Sequence, residues 1–192
     1  MFPVLFGATN KMKTKFFTGQ GDKGQSSFGK KKLPKDNALF DLLGDLDELN
    51  SWVGLARAES KKDIGEILKT VQQTLFIIQA EVAVTGFGYE ARGFDKIDSG
   101  KTGEIEKIIE ALDKKLPAIK KFILPGGSEL SARLDIARVI ARRAERAAVR
   151  FNRTKKLSPE LLQFLNRLSS LFFALARYAN REKGVKEGNP RY

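Results

Sequence analysis

Six arginines fall on one stretch of the chain: Arg133, Arg138, Arg142, Arg143, Arg146 and Arg150. Arg138, Arg142 and Arg146 are four residues apart, so on a helix they stack along one face. From Arg138 to Arg150 there are five arginines and no lysine. Arginine presents a planar fork of donors that grips phosphate or carboxylate oxygens in pairs, whereas lysine acts as a point charge. Such a stripe suits a triphosphate. It equally suits a solvated face, or ion pairs between subunits with acids such as Asp45, Asp47 and Glu48.

A second chemical feature is the run Thr18-Gly19-Gln20-Gly21-Asp22-Lys23-Gly24-Gln25-Ser26-Ser27. Its backbone N–H groups and hydroxyls could cradle phosphates. The Walker A spacing is absent, and no expected strand precedes a helix here. A glycine-rich flexible arm fits as well. A third is Gly44-Asp45-Leu46-Asp47-Glu48-Leu49-Asn50. Asp45 and Glu48 would share a helix face while Asp47 points elsewhere. Mg²⁺ ligation, an anchor for arginines and a plain charged surface are all open.

What the chain lacks narrows the chemistry further. It contains no histidine and no cysteine. That excludes a Ser-His-Asp triad, a thiolate nucleophile, disulfides and a His- or Cys-based zinc site. A metal would rest on oxygen ligands, as Mg²⁺ or Ca²⁺ does. Lys and Arg number 35 against 23 Asp and Glu, a net charge of +12. This favours polyanionic ligands, and a nucleic-acid-binding helical protein is one rival reading. Clustering of the charge on one helix beside a Gly-Asp-Lys-Gly loop favours a compact polyphosphate over nucleic acid.

These residues need a scaffold. With 42% hydrophobic and 30% charged residues over 192, the chain suits one globular domain rather than a disordered or membrane protein. The apolar start, Met1 to Ala8, is too short to span a bilayer and lacks the basic opening of a secretory signal. Residues 1–12 are expected to be an N-terminal extension of a cytoplasmic protein without a membrane partner. Gly19, Gly21, Gly24 and Gly29 forbid a stable helix nearby, so a loop or flexible arm is expected up to Lys35.

Five helices follow from apolar residues at spacings of three and four. The first starts at Asp36 as N-cap, with Leu39, Leu42, Leu43, Leu46, Leu49, Val53 and Leu55 as its stripe. The second runs from a cap at Asp63 to about Thr85, and the third from about Thr102 to Leu116. The fourth is capped by Ser128 after the Pro-Gly-Gly breaker and reaches about Asn152. The fifth opens at Ser158-Pro159, cap plus first-turn proline, and ends near Glu182. The chain is therefore read as all-α, a single-domain five-helix bundle with an N-terminal Gly-rich loop. Residues 183–192 are expected to form a flexible tail. The fifth helix is apolar on more than one face, which points to an oligomer.

In order along the chain stand Thr18-Gly19-Gln20-Gly21-Asp22-Lys23-Gly24, Gly44-Asp45-Leu46-Asp47-Glu48-Leu49-Asn50, Phe122-Ile123-Leu124-Pro125-Gly126-Gly127, Arg142-Arg143-Ala144-Glu145-Arg146 and Leu165-Asn166-Arg167-Leu168-Ser169. This set resembles the PduO-type ATP:cob(I)alamin adenosyltransferases over about residues 13–182. Each motif alone is modest, but five in order are specific. The resemblance implies a ferritin-like, cobalamin adenosyltransferase-like bundle assembled as a homotrimer with ATP at each subunit interface. It implies ATP, Mg²⁺ and cobalamin as ligands, the Mg²⁺ bridging the phosphates with no protein ligand assigned.

Residue by residue, it implies that Thr18, Gly19, Gln20, Gly21, Ser26, Ser27 and Lys35 bind ATP from one subunit. Arg142, Arg143, Glu145, Arg146 and Asn166 complete that site from the neighbour. Asp47 and Arg138 become an intersubunit pair near the corrinoid, and Phe122 closes over its lower face. Arg138, Arg142 and Asp47 form the catalytic set. A reductase and a product-receiving corrinoid enzyme are implied partners. The chain departs from the family pattern at Ser170, where Asp is usual, at Asp135, often His, and at Arg133, where a small residue is common. Ser170 keeps a non-catalytic relative, binding corrinoid or ATP as chaperone or sensor, as a further alternative.

Overall fold

The computed structural model describes residues 16–90, 93 and 95–191. The extension at 1–12 lies outside them. The described residues fall into two compact units, one ending at Lys35 and the other beginning at Asp36.

The first unit carries a feature that the sequence did not suggest. Strand β1 (Gln25–Phe28) pairs antiparallel with β2 (Lys31–Pro34), Ser26 opposite Leu33 and Ser27 opposite Lys32. The expected loop or flexible arm is thus partly a hairpin. Its two-residue turn places Gly29 first, at φ +60°, the residue and conformation that a type II′ turn requires. Four-residue strands are too short for a clear two-residue period, and the glycines around them masked the pair.

The second unit is a bundle of five helices: α1 (Ala38–Ala58), α2 (Lys62–Gly86), α3 (Ser99–Asp113), α4 (Glu129–Phe151) and α5 (Pro159–Glu182). Capping explains most of the boundaries. Ser128 accepts from Ser131 N–H and Ser158 from Leu161 N–H, as expected for α4 and α5. For α1 the cap is Asn37, not Asp36; the Asn37 side chain takes the Leu39 N–H at 3.0 Å. Helix α2 starts earlier than its expected cap: Lys61 occupies the cap position without a side-chain bond, and Asp63 lies in the first turn, where its charge suits the helix dipole. Helix α3 begins near Asp98, which accepts from Lys101 N–H at 2.9 Å, and ends at Asp113 rather than Leu116.

Helix α4 packs on both α1 and α5, α2 packs on α1, and α3 packs on α5. The stripe of the first helix supplies core through Leu39, Leu42, Leu46, Leu49 and Val53, and apolar residues at the same spacings, Leu68, Leu75, Ile78 and Val82 of α2 and Leu161, Leu165, Leu168, Phe172 and Leu175 of α5, are likewise fully buried. Leu55 is an exception and is exposed. The second apolar face of α5 is covered only in part within the chain. Phe164 and Leu171 are buried within the chain because α5 lies against α3 as well as α4. Leu162 and Phe173 on the same face stay half-buried, so part of its breadth remains at the surface. No helix among the described residues is long and apolar enough to cross a membrane.

The segment after Lys183, expected to be a flexible tail, is tied back onto the α3–α4 connection. Arg177, only 5% exposed, bonds Glu187 through Nε at 2.7 Å and Nη2 at 3.1 Å, and also reaches Pro117 O at 2.8 Å. Leu124 N–H donates to Gly188 O, and Asn189 Nδ2 donates to Phe122 O. A polar composition suggested a solvated tail; a buried arginine that needs a carboxylate holds it instead.

Candidate functional site

In the first unit, tight turns gather the candidate phosphate-binding residues. Gln20 N–H bonds Thr18 Oγ1, Asp22 N–H bonds Gly19 O, and Gly24 N–H bonds Gly21 O. The hairpin then returns the chain so that Lys35 N–H donates to Gly24 O at 2.9 Å. The Lys35 ammonium comes so close to Gly21 that a Cβ there would stand 3.0 Å from Nζ. Backbone bonds thus bring Gly21, the hairpin carrying Ser26 and Ser27, and Lys35 together, while Thr18 caps the turn at Gln20 through its side chain.

In the second unit, α4 carries the arginine stripe, and its arginines separate into paired and open ones. Arg143 is tied to α1: Nε donates to Asp45 Oδ1 at 2.8 Å and Nη2 bonds Glu48. Its pKa is raised above the ordinary value, first by the hydrogen bond to Asp45; burial opposes this, and the charge of Asp45 and the hydrogen bond and charge of Glu48 add to the rise. Asp45 and Glu48 therefore act as an arginine anchor, one of the options that the spacing left open. Arg138 donates from Nε to Asp135 Oδ1 at 3.1 Å on its own helix. Arg133 bonds Leu55 O and pairs with Glu59 and Glu129.

Arg142 and Arg146 are exposed and have no carboxylate partner among the described residues; Arg146 Nη1 merely donates to the backbone O of Arg142. Beside them runs a polar chain across three helices. Asn166 Nδ2 donates to Glu145 Oε1, Arg167 Nη1 donates to Asn166 Oδ1, and Arg167 Nε donates to Glu106 Oε1, all at 2.7–2.8 Å. Glu145 and Asn166 were singled out in the sequence. Arg167 stands next to Asn166 in a quoted motif without a role, and Glu106 on α3 gave no signal. The chain fixes the Asn166 amide with its oxygen towards Arg167 and its nitrogen towards Glu145.

Asp47 faces outward and has no ion pair among the described residues. With Gly44, Glu48, Ser51, Trp52 and Leu55 it lines an open groove of about 380 Å³ along α1. Arg138 and Asp47 are thus not paired within one chain. Phe122 is 76% exposed on the α3–α4 connection, followed by exposed Leu124. Ser170 is exposed on α5. No cluster of three or more acidic side chains that could hold a metal ion is found among the described residues.

The sequence from 16 to 179 matches the family model described as cobalamin adenosyltransferase. A corrinoid adenosyltransferase from Bacillus subtilis is 38% identical over 89% of this chain and 89% of its own length. The human corrinoid adenosyltransferase MMAB is 36% identical over 91% of this chain and 71% of its own. Among solved structures, a variant PduO-type ATP:corrinoid adenosyltransferase from Lactobacillus reuteri, complexed with cobalamin and ATP, superposes with a TM-score of 0.86 at 37% identity, covering 92% of this chain and 97% of that one. A second variant of that enzyme, complexed with ATP, gives 0.84 at 36% identity.

Proposed function

The chain belongs to the cobalamin adenosyltransferase family, and from that premise we propose that it transfers the 5′-deoxyadenosyl group of ATP to cob(I)alamin. The Co(I) electron pair attacks C5′, a Co–C bond forms, the C5′–O bond breaks, and its electrons leave on triphosphate. The products are adenosylcobalamin and triphosphate. The metal centre of the substrate is the nucleophile, which agrees with a chain that has neither histidine nor cysteine.

The observation that carries this reading is the pair of exposed arginines without carboxylate partners, Arg142 and Arg146, next to the Glu145–Asn166 bond. Two open guanidinium forks one helical turn apart can take oxygens of one polyphosphate, and they would stabilise the charge that grows on the leaving triphosphate. Glu145 and Asn166 would hold the nucleoside end in place. Thr18, Gly19, Gln20, Gly21, Ser26, Ser27 and Lys35 would supply backbone and side-chain donors to the same ATP from a second subunit of a homotrimer. Mg²⁺, carried on phosphate oxygens, would screen charge there. Arg143 contributes differently: held by Asp45 and Glu48, it fixes α4 against α1 rather than presenting a free fork. Phe122, Arg138 and Asp47 would face the corrinoid.

The test is anaerobic mixing of the protein with chemically reduced cob(I)alamin, ATP and Mg²⁺ under visible spectroscopy. Loss of the Co(I) band with growth of a light-sensitive alkylcobalamin, dependent on both protein and ATP, is the expected result. ATP binding without that product would overturn the assignment of catalysis.

A further inference from the structure

Asp135 is a buried carboxylate with two partners of different kinds. Its Oδ2 accepts from the backbone N–H of Gly126 at 2.8 Å, and its Oδ1 accepts from Arg138 Nε at 3.1 Å. One side chain therefore joins the turn that precedes α4 to an arginine between two and three turns inside α4. The turn is held from other sides too. Gly126 O accepts from Ser131 Oγ and from Asn180 Nδ2, and Ser128 N–H donates to Asn180 Oδ1. That turn closes the segment on which Phe122 is exposed.

The geometry at Arg138 is selective. Asp135 takes only Nε, and the two Nη groups have no partner among the described residues. A guanidinium is planar, so a bond at Nε fixes the direction of the remaining donors. The side chain of Asp135 is 12% exposed and that of Arg138 is 24% exposed. Water competes weakly for such a bond, and the aim is kept.

We propose that Asp135 is a positioning residue for the corrinoid: it aims the Nη donors of Arg138 and locks them to the turn that ends the Phe122 segment. This rests on the placement of Arg138 and Phe122 at the corrinoid under the proposed function. Asp135 itself touches neither substrate in this account.

Steady-state kinetics with each substrate varied separately tests it, for Asp135→Asn, Arg138→Ala and the double variant. Asparagine keeps the shape and can still accept from Gly126 N–H, but it loses the charged bond to Arg138. KM for cob(I)alamin is expected to rise roughly tenfold, within the roughly hundredfold that a misplaced group can cost, with KM for ATP and the unfolding midpoint unchanged. Adding Asp135→Asn to Arg138→Ala should raise the corrinoid KM no further. Equal losses on both substrates with a lowered midpoint would mean a structural role only and overturn the proposal. So would an intact Asp135→Asn beside an impaired Arg138→Ala. An unchanged corrinoid KM in Arg138→Ala would instead overturn the placement of Arg138, and the proposal with it. Should Asp135→Asn fail to fold, Arg138→Lys asks the question from the other side. Lysine keeps the charge without the fork, so its corrinoid KM should rise, and an unchanged value overturns the proposal.

Discussion

At the scale of residues, the stripe on α4 is five arginines with unequal duties. Spacing placed Arg138, Arg142 and Arg146 on one face, and Arg-rich composition favoured an anion. It gave no means of telling which guanidinium the protein neutralises itself. Arg143 meets Asp45 and Glu48 across nearly a hundred residues of sequence, whereas Arg142 and Arg146 stay open. The two neighbours should therefore behave differently on truncation. Arg142→Ala is expected to abolish turnover with the helical circular dichroism and unfolding midpoint intact. Arg143→Ala is expected to lose about 1 kcal/mol of stability or less, because the pair is partly exposed, while retaining more activity than Arg142→Ala. Denaturant unfolding and the adenosylation assay on both variants check this. Because the Arg143 pKa is raised in the folded state, its contribution is fully present below the ordinary arginine value and is lost only above it. Stability should not vary with pH through this group near neutrality, and added salt should weaken it instead.

At the scale of elements, local signals were good guides where a cap is a side chain bonded two or three residues on. Ser128 and Ser158-Pro159 were legible for that reason. The α3 start was misplaced because Gly100 and Gly103 weaken the helical pattern there, although Asp98 caps it. The Pro125-Gly126-Gly127 turn is a breaker by composition, but its conformation has a tertiary cause. Gly127 sits at φ +111°, and a Cβ on it would lie 2.6 Å from Asn180 Oδ1 of α5. Gly127→Ala is expected to destabilise the fold by about 2 kcal/mol or more. Gly103→Ala, on α3 with nothing near its Cβ position, should be neutral or stabilising by roughly 0.5–1 kcal/mol. Thermal or urea unfolding of the two variants side by side distinguishes a tertiary requirement for glycine from mere helix propensity.

At the scale of the whole molecule, the apolar surface lies on several helices and not on α5 alone. Much of the wide apolar face of α5 is covered inside the chain, with Leu162 and Phe173 half-buried. Exposed apolar groups are found instead at Leu55 on α1, Phe76 on α2, and Val139 and Val149 on α4. The α1 groove holding Leu55 also holds Asp47, whose carboxylate lacks an ion-pair partner among the described residues. A homotrimer built there would cover Leu55 and bring Asp47 to a neighbour. Sedimentation velocity is expected to show three chains per particle for the parent protein. Leu55→Arg should shift it towards monomers with its helix content kept. A monomeric parent at assay concentration would rule the assembly out.

The sequence by itself determined the all-α class, the number and order of the helices, most of the core stripes, and five ordered motifs that carried the family. These depend on periodicity and on bonds that span a few residues, which composition and spacing encode directly. The tertiary structure decided which arginines remain open, how Asp135 joins Arg138 to the turn at Gly126, that the residues after Lys183 clasp the Phe122 segment, and that α5 buries Phe164 and Leu171 within the chain. Each of these depends on the rotation and axial offset of one helix against another, or on a strap returning from the far end of the chain. Such offsets are set by the packing of the whole core, so no local spacing records them.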